Sequence, residues 1–121
     1  MEQPKTISID GINYVRADSN QLAEKFEGLE YKIIRTAQAG VFAGYLKSRT
    51  GNEAVVLKAR RIFYWDGAAS LNGLAMSGTS KPNNCKFPEE VSKVELIGVI
   101  EVLDVTEKAR KSIEAVKIWS A

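Results

Sequence analysis

Within "AVVLKARRIFYWDGAAS" (residues 54–70), Lys58, Arg60 and Arg61 stand directly before Phe63, Tyr64 and Trp65. Arginine stacks on rings and donates paired hydrogen bonds to phosphate, while an aromatic face stacks on a base. On an extended strand of period two, Ala59, Arg61, Phe63 and Trp65 share one face, and Lys58, Arg60, Ile62 and Tyr64 share the other. Each face then mixes cations with rings, whereas a strand with one buried face sorts its charges to one side. The chemistry offered is adhesion to something flat and anionic, as nucleotides are. The competing reading is packing: strand aromatics are mostly core or cross-strand partners, and arginine stems run along them.

Two further clusters carry related chemistry. In "TEKARKS" (106–112), Lys108, Arg110 and Lys111 crowd one turn of an expected helix, and free N–H groups at its start would suit phosphate. The same residues also make ordinary surface pairs, Glu107 with Lys111 and Arg110 with Glu114. In "KPNNCKF" (81–87), Asn83 and Asn84 have the donors and acceptors to read a base edge and Lys81 or Lys86 has the charge to meet a phosphate, although asparagines after a proline are also common turn residues. Candidate ligand-binding residues are therefore Arg60, Arg61, Phe63, Trp65, Asn83, Asn84, Arg110 and Lys111.

The chain has no histidine and one cysteine, Cys85. The commonest general base and the commonest metal ligand are thus missing, and neither a Cys/His zinc site nor a histidine-activated nucleophile can be built. Carboxylates leave one route to an enzyme, but Asp66 reads as a helix cap and Glu89-Glu90 as solvated charge. No glycine-rich phosphate loop has the required spacing. No catalytic residue, metal or cofactor is expected.

The elements that must position these residues follow from turn and periodicity signals. An Asp-Gly hairpin is expected over 6–15 and a short helix over 17–30, capped by Asp18 or Ser19 and stopped by Gly28. A strand over 31–38 and a long hairpin over 41–65, turning at 49–52, come next. Residues 66–78 suit a helix capped by Asp66 and ended by Gly78, followed by a loop over 79–90. A single β-rich strand over 92–105 precedes a helix over 106–115, capped by Thr106, with Ala109 and Ile113 facing the core. The closing residues "VKIWSA" are a tail or edge strand. The sum is one α+β domain spanning 1–121, an antiparallel sheet with two or three short helices. A net charge of +2 is too small for a general DNA-coating protein. The first residues lack the features of a signal peptide, and no apolar run approaches the roughly 20 residues that cross a bilayer, so a cytoplasmic protein without membrane partners is expected.

The ordered set "AGVFAGYLKSR" (39–49), "VVLKARRIFYWDGAASLNGLA" (55–75), "PNNCKF" (82–87) and "VIEVLDVTEKARKSI" (99–113) resembles a family of small phage and prophage proteins of unknown-function type. That family includes the Thoeris anti-defence sponges of the first type. The resemblance implies a homo-oligomeric protein, acting in the host cytoplasm, that sequesters a cyclic ADP-ribose isomer made by a bacterial TIR-domain immune protein. The ligand is held without cleavage, and cyclic oligonucleotides are possible further ligands. Other readings of the same residues are a phage structural or assembly protein, a single-strand nucleic-acid binder and a metal-dependent phosphodiesterase.

Overall fold

The computed structural model describes residues 21–120. The hairpin expected over 6–15 and the start of the helix expected from residue 17 lie outside them. Among the described residues the fold is α+β: a five-stranded antiparallel sheet with two short helices, α1 (Leu71–Ser77) and α2 (Glu107–Ala115). The strands are β1 (Glu30–Thr36), β2 (Val41–Thr50), β3 (Glu53–Arg61), β4 (Val91–Ile97) and β5 (Val99–Asp104), in the order β4-β3-β2-β1-β5.

β4 and β5 are consecutive in sequence, yet they occupy opposite ends of that order. Gly98 alone joins them, with φ +81°. Its carbonyl accepts from Ala37 N beside β1, and the next N–H, of Val99, donates to Asn52 O beside β3. The sheet therefore curls until its two edges meet at Gly98. The single strand expected over 92–105 is one run of chain divided by a glycine in a backbone conformation that β-branched residues avoid.

Both faces of the curled sheet are apolar. Ile34, Phe42, Ala54, Val56, Ala59, Leu96 and Val99 form a buried cluster on one. On the other, Ile33, Ala43, Tyr31 and Tyr45 pack with Leu74 of α1, Ala109 and Ile113 of α2, and Phe87. Ala109 and Ile113 thus face the core as their spacing of four predicts. Thr106 caps α2, its hydroxyl accepting from Ala109 N and donating to Met76 O.

Two local expectations are corrected. Residues 21–30 are not helical: Leu22 bridges Thr106, and Phe26 and Leu29 pair across a tight turn. Ala23 N donates to Val105 O and Gln21 O accepts from Glu107 N, so the backbone groups a helix would use are bound to the C-terminal half. The cap of α1 is Ser70, whose side chain accepts from Gly73 N, and Asp66 turns instead to its neighbour Gly67 N. Gly78 ends that helix as expected. Among the described residues no helix is long and apolar enough to cross a membrane.

Candidate functional site

The basic–aromatic segment does not keep a period of two. Between the pairs Tyr45–Leu57 and Ala43–Arg60, β3 carries two residues, Lys58 and Ala59, against Gly44 alone on β2. Lys58 adopts a positive φ of 50°, and the extra residue reverses which side chains face which way. Gly44 permits this, because a Cβ there would lie 2.7 Å from Val56 Cγ1 and 2.8 Å from Leu57 O. Ala59 and Arg60 are consequently both buried, and the strand ends at Arg61.

Arg60 is a structural residue in this fold. Its Nε donates to Pro88 O (3.0 Å), one terminal nitrogen to Ile113 O (2.9 Å), and the other to Phe87 O (3.0 Å) and Val116 O (2.7 Å). Ile113 and Val116 lie at the C-terminal end of α2, where a cation meets the negative end of the helix dipole. The guanidinium pins α2 and the segment before β4 to the sheet. The expectation that it meets a phosphate is corrected on that ground: four of its five donors are committed. A cleft of about 660 Å³ does open beside it. Glu89, Glu90 and Glu114 line that cleft with Lys58, so carboxylates outnumber the cations there.

Arg61 is exposed and lies over the Phe42 ring, 4.4 Å from its centroid, with a hydrogen bond to Ala39 O. Arg110 is held by three hydrogen bonds to the carboxylates of Glu107 and Glu114. Those bonds pull the Glu107 carboxyl down to about 2 and raise Arg110. The first turn of α2 thus already holds an acid at its positive end, and Arg110 is neutralised in place. Lys111 is exposed, 3.9 Å from Glu107. Asn84 donates to Asp66 Oδ2 (3.1 Å), a bond that lowers the Asp66 carboxyl, so its amide serves the loop.

Phe63 lies elsewhere. Past the end of β3, Phe63 N and Tyr64 N both reach Lys86 O, and Lys86 N donates to Tyr64 O (2.8 Å). On the other side of Lys86, Phe87 bridges Ile118 in parallel and its carbonyl accepts from Trp119 N. Three separate segments are thereby laid side by side. Phe63, 61% exposed, stacks on Trp119 with ring centroids 5.4 Å apart and planes 8° from parallel. Lys86 Nζ sits 5.6 Å from the Trp119 ring and 5.9 Å from that of half-exposed Tyr64. Asn83 and Lys117 border a groove of about 330 Å³ beside Trp119. Trp65, by contrast, packs half-buried against the helix-side core.

Of the eight expected site residues, Phe63 and Asn83 reach this aromatic surface. Arg61, Asn84 and Arg110 make their side-chain hydrogen bonds elsewhere, Lys111 faces Glu107, Trp65 packs against the helix-side core, and Arg60 lies beneath, sharing the Phe87 carbonyl with Trp119 N. Tyr64 of the same aromatic run and Lys86, a candidate phosphate partner by sequence, join it, and Lys117 and Trp119 join it unforeseen. The only sequence signal for the last two is a tryptophan two residues after a lysine near the last positions, and chain crossing brings it to Phe63. Chemically the surface offers ring faces to a planar group and two ammonium groups to an anion, with no general base among them.

The family model described as a domain of unknown function, DUF6948, matches residues 29–113. No curated protein and no solved structure matches the chain.

Proposed function

Because the chain belongs to the DUF6948 family, whose description assigns no activity, the reading rests on the surface itself, and we propose that this protein binds a nucleotide signal and holds it intact. The observation that carries the proposal is the solvent-facing Phe63–Trp119 stack with Lys86 across the indole. Phe63 is largely exposed and Trp119 about one-third exposed, and a base is the ligand whose π-face matches such rings. Lys86 and Lys117 supply the charge that phosphates require. A cyclic ADP-ribose isomer has one adenine to stack and two phosphates to neutralise. It is also the ligand implied by the resemblance to anti-defence sponges, in whose role this protein keeps the signal from a host effector. Binding and release need no proton transfer, which agrees with a surface of rings and ammonium groups.

The test is capture and release. The protein is incubated with cyclic ADP-ribose isomers, cyclic oligonucleotides and linear single strands, filtered, and denatured, and both fractions are analysed by mass spectrometry. A compound that leaves the filtrate and returns unchanged supports sequestration. Phe63→Ala should then weaken capture by roughly 5- to 150-fold, the value of one stacked base. Loss of the compound without its return would mean an enzyme. Retention of linear strands alone, with steep salt dependence, would mean a nucleic-acid binder. Retention of nothing would overturn the proposal.

A further inference from the structure

β4 is a sheet edge. Among the described residues it pairs with β3 only, which leaves alternate backbone N–H and C=O groups on its other side. Its own alternation is regular: Leu96 is buried in the inner cluster and Val94 packs against it, while Val91, Lys93, Glu95 and Ile97 point outward. Ile97 is 74% exposed and Val91 49%, unusual for the ends of an unprotected edge. Lys93 and Glu95 are exposed, and their nearest charged atoms are 3.6 Å apart. No proline interrupts the strand, and its one lysine has an acid two positions on.

The sequence of this edge, "VSKVELI", is complementary to itself when reversed about its centre. With Val94 opposite Val94 of a second copy, Val91 faces the second copy's Ile97 and Lys93 faces its Glu95. Two-fold symmetry then repeats each contact. Every outward position would find a matching partner: apolar with apolar at both ends, cation with anion inside them. A shallow groove formed by Ala37, Gln38 and Ala39 against Glu95–Gly98 lies beside Ile97, where the arriving Val91 would be covered. A shift by one residue loses this match, because it sets outward side chains against inward ones.

We propose that the β4 edge pairs antiparallel with the β4 edge of a second copy of this chain, about a two-fold axis through Val94, extending the sheet across both copies. This surface is distinct from the Phe63–Trp119 stack and needs no ligand. One seven-residue strand edge is a small contact for a stable complex, so the pair should dissociate at micromolar concentrations.

Sedimentation velocity on the whole protein, over roughly 1 to 200 µM, tests this in the range where such contacts populate. The wild type should shift from monomer to dimer. Glu95→Lys sets lysine against lysine twice and should return the protein to monomer at every concentration, as should Lys93→Glu. The double exchange Lys93→Glu/Glu95→Lys restores both pairs and should restore the dimer. Both positions are exposed, and circular dichroism confirms that each variant is folded. A wild type that stays monomeric throughout overturns the inference, as does a dimer indifferent to Glu95→Lys or a double exchange that fails to rescue. Loss of nucleotide capture with the dimer intact would leave this inference standing, since neither contact involves the aromatic surface.

Discussion

Replacing Arg60 with methionine should destabilise the protein severely, whatever ligand it binds. The apolar stem is kept, but Pro88 O and Val116 O lose the donor that serves them, while Phe87 O keeps Trp119 N and Ile113 O keeps Val116 N. Each hydrogen bond to a charged group contributes about 1.5–3 kcal/mol, and the four are not additive because they share one side chain. A buried acceptor left unsatisfied costs about 1–3 kcal/mol, and with the lost charged bonds to Phe87 O and Ile113 O we expect a total of about 3–5 kcal/mol. For a chain of this length that is a fall in Tm of roughly 10–20 °C. Arg60→Lys should recover part of the loss, since an ammonium has three donors and no planar fork to span four acceptors. Urea unfolding followed by circular dichroism gives the difference directly. A variant within about 1 kcal/mol of wild type that no longer captures nucleotide would refute the reasoning and return Arg60 to the binding site.

Three other perturbations probe separate parts of the fold. Gly44→Ala forces a Cβ to within 3.0 Å of β3 at the bulge, and should cost about 1–3 kcal/mol by thermal melting, the usual cost of overpacking. Glu107 has its carboxyl lowered from 4.5 to about 2 by Arg110, so its contribution to stability is complete above pH 4.5 and is lost as the pH falls toward 2. Wild type should therefore lose more stability than Glu107→Gln between those pH values in urea titrations, and parallel curves would contradict that. Arg61→Ala removes an exposed cation lying over Phe42 and should cost about 0.5–1 kcal/mol, with nucleotide capture unchanged by the same filtration assay.

Much of the framework is legible because its determinants are local. The strand around Tyr31–Arg35, the turn at Gly51 and Asn52, the Gly78 stop and the Thr106 cap each depend on residues within a few positions of one another. The same locality misled at residues 21–30. There a helical spacing of Leu22 and Phe26 is overridden by backbone pairing with Val105, Thr106 and Glu107, far along the chain. Asp66 looked like a cap because it precedes a helical composition, but Ser70 stands where the helix begins.

The sequence by itself determined the chemistry available: no histidine, one cysteine, and aromatic and basic residues suited to a planar anion. It also determined the α+β class, since alternation and turn residues are written within each segment. Only the tertiary structure decided which of those residues are free. One extra residue in β3 opposite Gly44 turned Arg60 inward to four carbonyls, and two carboxylates took Arg110. The meeting of Phe63 with Trp119 arose through Lys86 and Phe87, residues adjacent to neither in sequence. Availability of a side chain depends on which partners the fold brings to it, and those partners lie too far along the chain for spacing to reveal.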